Sequence, residues 1–251
     1  MLLGNYSFIY IIGLILGSFY NVVGLRIPAG ESIVKPRSHC PNCGHVLGAT
    51  ELIPVLSYLL QKGKCRGCKA PISPLYALIE LTTGLLFVTA PLVLGWTTEL
   101  FVAWTLISLC VIVFVSDYKY MIIPDKVLLF FLPIFIIERI FIPLSPWWDS
   151  LLGAVVGFVL LYVIAVISKG GMGGGDIKLF GVLGIVLGVK MVLISFFLAT
   201  LTGALFGGIG LLLGKVQRGK PIPFGPFICL GVLLAYFWGE NILTWYLQLF
   251  M

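Results

Sequence analysis

Charge is what this chain has least of. Asp, Glu, Lys and Arg make up 10% of its 251 residues, against about 25% in a soluble domain. Basic residues form no stripe along any segment, which removes nucleic acid as a partner. The apolar runs do not alternate with polar residues, which removes a closed β-barrel. The first residues, Met1-Leu2-Leu3-Gly4-Asn5-Tyr6, lack Lys and Arg. The charged start of a secretory signal is therefore missing, and the first apolar run is expected to be an uncleaved span. What the chain holds instead is 60% hydrophobic and 14% aromatic residues, with a mean hydropathy of +1.11. Such a chain must dissolve in lipid.

Continuous apolar runs predict an all-α polytopic membrane protein with about eight transmembrane helices. The expected spans are 5–25, 73–94, 99–116, 123–142, 149–168, 177–189, 191–213 and 226–247. Only Gly188, Val189 and Lys190 divide the sixth from the seventh. The expected division is a first transmembrane helix at 1–26, a small cytoplasmic cysteine-bearing insertion at 27–72, and a transmembrane domain at 73–251.

Charge fixes the expected orientation. With the N-terminus outside, inner loops receive Arg26, Lys35, Arg37, Lys62, Lys64, Arg66, Lys69, Lys119, Lys126, Lys169, Lys178, Lys215, Arg218 and Lys220. Arg139 and Lys190 fall outside, with Glu99, Glu138, Asp149 and Glu240. This bias puts the inner loops in the cytoplasm and both termini outside. Trp96, Trp147 and Trp148 then fall near the outer boundary, where indole rings settle.

The chain is organised around Gly170-Gly171-Met172-Gly173-Gly174-Gly175-Asp176, set between apolar segments. Glycines there let the backbone lie close to a partner. An ionisable carboxylate at the edge of an apolar bundle is a functional hypothesis. Asp117 is a second one, ending an earlier run before Ile123-Pro124-Asp125. Taken singly, each has a structural reading. Asp176 precedes a helix and would cap it; Asp125 would favour a helix dipole behind a tolerated proline; Asp117 would be an interfacial residue beside Lys119.

Two complete crossings separate Asp117 from Asp176, so both belong on the cytoplasmic side at similar depth. Two carboxylates within hydrogen-bonding reach do not both ionise easily, so one holds a proton. The ionised member can take a proton from water while its neighbour donates one to a peptide carbonyl. That is the chemistry of an aspartic protease, and Gly173, Gly174 and Gly175 would let an extended substrate approach. The glycine run lacks the Lys-Ser/Thr of a P-loop, and its spacing fails G-x-G-x-x-G.

Four of six cysteines occur as two C-x-x-C pairs, Cys40/Cys43 and Cys65/Cys68, in the long polar stretch after the first span. Two such knuckles complete a tetrahedral, closed structural zinc site. The 21 residues from Gly44 through Lys64 slightly exceed the usual zinc-ribbon gap. A cytoplasmic loop disfavours disulfides, and no βαβ pattern suggests a redox pair. His39 and His45 are read as bystanders, Cys110 and Cys229 as buried structural thiols. Leu52–Leu60 is too short to span and would pack on the module or dip into the interface. Glu51 just before it is a candidate site residue. Asn21 and Glu80 are polar groups within spans, each either functional or an interhelical hydrogen bond. Gly153/Gly157 and Gly203/Gly207 would permit close helix approach.

These motifs resemble those of the prepilin peptidases, the type IV leader peptidases. Gly173-Gly174-Gly175-Asp176 fits their G-x-G-D element, and Asp117 with Ile123-Pro124-Asp125 fits the upstream aspartate motif. Gly17-Ser18-Phe19-Tyr20-Asn21-Val22 with Arg26-Ile27-Pro28 is similar to the N-terminal signature. Pro36-Arg37-Ser38-His39-Cys40-Pro41-Asn42-Cys43, Glu51-Leu52-Ile53-Pro54 and the second cysteine pair resemble their cytoplasmic domain. Ser73–Leu81 continues the match, with Ala77 where many members have proline. The likeness covers essentially the whole chain and is nearest the competence-type peptidases of Gram-positive bacteria.

The resemblance implies a membrane-embedded aspartic peptidase that removes short basic leaders from prepilins and pseudopilins at the cytoplasmic face. Asp117 and Asp176 would be catalytic, and Asp125 would not. It also implies methylation of the new N-terminus with S-adenosylmethionine in the cytoplasmic domain, for which Glu51 and Glu80 are the candidate residues. Two other classes compete. An intramembrane protease of another substrate class would share G-x-G-D but not the zinc loop. A proton-coupled transporter using the aspartates as a relay would place them near the bilayer midplane.

Overall fold

The computed structural model describes residues 2–169, 171–214 and 222–249, so Gly170, Lys215, Arg218 and Lys220 lie outside the described residues. The chain divides into two compact units, Met1–Trp96 and Thr97–Met251.

In the first unit, α1 (Leu2–Arg26) packs along α3 (Pro74–Leu94), and the connector between them carries a short α2 (Leu56–Leu60). The two long helices approach closely because small residues face each other. A Cβ on Gly13 would meet Gly84 Cα at 2.8 Å, and one on Gly17 would meet Glu80 Cα at 2.9 Å. This is how membrane helices gain packing without a hydrophobic drive. Asn21 supplies the interhelical hydrogen bond, its Nδ2 donating to the Tyr76 carbonyl at 3.2 Å. Ser73 caps α3, accepting the Leu75 N–H at 3.3 Å, with Pro74 at the first helical position. Val23, Ile79, Phe87 and Ala90 fill the seam.

The second unit holds α4 (Glu99–Tyr120), α5 (Asp125–Phe141), α6 (Asp149–Ile167), α7 (Gly174–Leu212) and α8 (Gly225–Gln248). The α4 helix is apolar all round and is the most buried of these, which makes it the core of the unit. Leu106, Ile107, Val113 and Val115 of α4 are fully enclosed, as are Phe135, Leu161, Phe180 and Ile228 of the other helices.

Gly188 breaks α7 with φ 72° and ψ 177°, a backbone region open to glycine. The chain doubles back there. Phe180 and Phe196 meet edge to face with centroids 5.9 Å apart, whereas sixteen residues of straight helix would separate them by about 24 Å. The expected sixth and seventh spans are thus the two arms of α7, residues 174–187 and 189–212.

The turn leaves backbone groups without helical partners, and distant side chains replace them. The Arg139 guanidinium donates to the Val186 carbonyl at 2.6 and 3.1 Å, and Asp149 Oδ1 accepts the Val189 N–H at 3.3 Å. Arg139 is buried inside α5 yet fully engaged, because Glu99 accepts two further hydrogen bonds at 2.8 and 3.0 Å and the Ile142 carbonyl a third at 3.2 Å. Gly153 and Gly157 admit the first arm of α7, since a Cβ on either would collide with its backbone at Gly184 or Phe180. Gly203 and Gly207 do not do the same. A Cβ there would meet side chains of Phe224, Phe227 and Ile222 at an ordinary 3.5–3.7 Å.

Among the described residues, six helices are long and apolar enough to cross a membrane: α1, α3, α4, α6, α7 and α8. With α7 counted as two arms and the 17-residue α5 included, the eight expected segments are all helical.

Candidate active site and metal centre

Asp117 sits in the last turn of α4, within its buried face, and is 6% exposed. The helix ends just beyond it because Met121 turns left-handed at φ 54° and returns its N–H to the Asp117 carbonyl at 2.8 Å. Ser116 ties the same corner, its hydroxyl donating to the Ile122 carbonyl. From the other end of the sequence comes Gly225, the first residue of α8. Its N–H donates to Asp117 Oδ2 at 2.7 Å. A Cβ at that position would stand 2.8 Å from the Asp117 Cβ and Oδ2, so only glycine lets the helix start against the carboxylate.

Asp176 stands in the first turn of α7, which begins at Gly174, three residues before the expected start at 177. Its carboxylate lies over the Gly173 backbone, 3.0 Å from where a Cβ would be. A Cβ on Gly175 would meet Ile123 Cβ at 2.9 Å, so the glycine loop rests directly on the corner that follows Asp117. The two carboxylates are brought within electrostatic range of each other. Asp125, by contrast, is exposed and neutralised, its carboxylate receiving Lys178 Nζ at 2.7 and 2.9 Å.

In the connector of the first unit, the four Sγ atoms of Cys40, Cys43, Cys65 and Cys68 lie within 4.8 Å of one another. Cys40–Cys68 and Cys43–Cys65 are each 3.9 Å apart. A tetrahedron with zinc–sulfur bonds of about 2.3 Å has edges of about 3.8 Å, so the residues fit a zinc ion. Each knuckle is closed by backbone bonds, Cys40 N to His45 O and Gly44 N to Cys40 O in the first. Cys65 N to Ala70 O and Lys69 N to Cys65 O repeat them in the second. The N–H groups of Asn42 and Cys43 hold the Cys40 thiol below its ordinary pKa, whereas at Cys43 the lowering by the His45 N–H is outweighed by burial and the thiols of Cys68, Cys40 and Cys65, which push it up to about 11.

Residues 11–94 match the family profile described as Bacterial Peptidase A24 N-terminal domain, and residues 104–208 that of the Type IV leader peptidase family. Over 243 residues the chain is 49% identical to the prepilin leader peptidase/N-methyltransferase of Bacillus subtilis (strain 168), covering 97% of this chain and 98% of that protein. This chain belongs to the type IV leader peptidase family. Proteins of the same name from Aeromonas salmonicida (strain A449) and Pseudomonas aeruginosa (PAO1) are 36% and 34% identical. They cover 97% and 95% of this chain, and 94% and 92% of their own lengths. No solved structure matches.

Within this leader-peptidase frame, both aspartates fall in the matched peptidase segment and the four cysteines in the N-terminal one. Glu51 is built into the four-cysteine module. Its Oε2 accepts the Gly48 N–H and faces His45 Nε2, both at 3.0 Å, and Arg66 Nε lies 3.8 Å from its Oε1. The Gly48 N–H, then His45, holds the Glu51 carboxyl below the usual carboxylate range. His45 is therefore a partner of Glu51 rather than a bystander. Glu80, on α3, accepts the Val55 N–H at 2.7 Å and a bond from Ser18. Val55 needs that anchor, because a β-branched residue at φ 60° is an outlier. Gly225 and Lys178 were missed as site residues. A glycine opening a late apolar run carries no local signal of an aspartate 108 positions away.

Proposed function

We propose that this peptidase is an aspartic endopeptidase that removes the short basic leader of type IV prepilins and pseudopilins at the cytoplasmic face. The observation that carries the reading is the convergence of Asp117 and Asp176 on one corner, each held by glycine backbone rather than by a counter-cation. Two such carboxylates share one proton, and their titration belongs to the pair. The ionised member takes a proton from water as the oxygen attacks the scissile carbonyl. The protonated member donates to the carbonyl oxygen, and a proton then passes to the departing amine as the C–N bond breaks. Gly173, Gly174 and Gly175 offer backbone without side chains to an extended substrate. The cytoplasmic placement rests on the loop-charge bias, with Lys119, Lys126 and Lys178 following the aspartates in sequence.

For the zinc module we propose a structural zinc held by Cys40, Cys43, Cys65 and Cys68, with no open position for catalysis. We also propose that the region 27–72, with Glu80, serves N-methylation of the newly exposed amine. S-adenosylmethionine, when bound, supplies an electrophilic methyl group. Glu51 Oε1 is buried without a hydrogen-bond partner among the described residues, so it has acceptor capacity left for a ribose hydroxyl or an amine.

Purified protein in detergent, mixed with a prepilin-like substrate bearing a basic leader, tests the peptidase reading. Wild type cleaves; Asp117→Asn and Asp176→Asn, nearly unchanged in size, each lose at least about a thousandfold. Retained cleavage in both variants removes the aspartate mechanism. Transfer of label from S-adenosylmethionine to the cleaved product by wild type, and its loss in Glu51→Gln or Glu80→Gln, tests the second activity.

A further inference from the structure

Six cations and two carboxylates, Glu31 and Glu51, occupy residues 27–72. A zinc tetrathiolate would add two negative charges and still leave the module cationic. The cations are not spread evenly. Lys62, Lys64, Arg66 and Lys69 are all exposed, and together with Leu60 they line one open recess of about 300 Å³. Arg66 lies near Glu51; among the described residues no carboxylate pairs with the other three. Immediately before them α2 presents apolar side chains to the outside, with Leu59 64% and Leu60 70% exposed. Leu56 and Ile53 are exposed beside them.

The cations suit water, but the leucines beside them do not. Exposed leucines contiguous with a cationic cluster combine the apolar area and the charge by which interfacial segments bind anionic bilayers. The lysine stems can lie along the acyl boundary while their ammonium groups reach phosphate. Tethering does the rest. The module begins where α1 ends and finishes where α3 starts, so both of its ends leave membrane-crossing helices at the bilayer surface. A nucleic acid would match the charge but not the leucines.

We propose that α2 and the second cysteine knuckle form a docking surface for anionic phospholipid, Leu56, Leu59 and Leu60 entering the interface while Lys62, Lys64, Arg66 and Lys69 take headgroup phosphates. The bilayer beneath the module is the partner, and the module lies down on it when that leaflet is negatively charged. This rests on α1 and α3 being spans and is independent of the peptidase reading and of which leaflet is involved.

The test uses the full chain in nanodiscs of phosphatidylcholine alone or mixed with phosphatidylglycerol, followed by hydrogen exchange of the amides at 56–69. Exchange is expected to slow with phosphatidylglycerol, by about fivefold in the docking equilibrium for each engaged cation, and the difference should vanish at high salt. Lys62→Gln with Lys69→Gln should remove most of it while zinc content stays unchanged. Leu59→Gln with Leu60→Gln should reduce it with all cations in place. Equal exchange in the two lipids overturns the proposal, as does protection that survives in the lysine variant. Loss of zinc from the lysine variant also overturns it, because the cations would then serve the tetrathiolate.

Discussion

Asp117 and Asp176 lie within electrostatic range of each other but are held in opposite ways. Asp117 is set in the buried face of α4, and its carboxylate is clamped by Gly225 from a segment far away in sequence. Asp176 is half-buried in the first turn of α7, and its carboxylate lies against its own loop at Gly173. One carboxylate is fixed by tertiary packing and the other by local backbone. The proposed dyad would then have a rigid half, and a half free to adjust as a substrate backbone enters beside the glycines.

The asymmetry can be broken from its rigid side first. Gly225→Val places carbon where the Asp117 carboxylate lies, so cleavage should fall by about a hundredfold or more. A thermal unfolding midpoint separates this from misfolding, since the loss should exceed what any drop in folded fraction explains. The adjustable side should respond less. Gly173→Ala needs the Asp176 carboxylate to move by a few tenths of an ångström, and its φ of −70° accepts alanine. A loss of about tenfold is expected, and one as large as that of Gly225→Val would show that Asp176 is equally rigid. The weakest change is Lys178→Gln. It removes an exposed ion pair worth about 0.2–1 kcal/mol, so cleavage should stay within about twofold and the unfolding midpoint should barely move. A large loss of cleavage in Lys178→Gln would instead make Asp125 a working carboxylate.

The legibility of these features in the sequence follows the same division. The G-x-G-D loop, the two cysteine knuckles and the eight apolar segments are local patterns, and each reappears in the structure. Even the thin separator at Gly188 marks a true reversal. What was not legible depends on meetings between distant residues. Arg139, counted by charge among the outer residues, is buried and supplies donors to a carbonyl on α7, a role that the charge count does not carry. Gly13 and Gly17 set the approach of α1 to α3, whereas Gly203 and Gly207, with a similar spacing, meet only side chains. Spacing states that a helix face is small, not what faces it. Four cysteines close a metal site without His45, and nothing local to the sequence announces that its ring meets Glu51.

The reversal at Gly188 makes the first arm of α7 a pendant. It reaches about 21 Å at 1.5 Å per residue, less than the thickness of a hydrocarbon core, and is anchored at its far end by Arg139 and Asp149. The far end of the arm therefore takes part in setting the height and bearing of Asp176, together with the loop at Gly173. One residue added between Asp176 and Gly188 would lower the carboxylate by 1.5 Å and swing it through about 100°. The same residue added after Gly188 would leave it where it is.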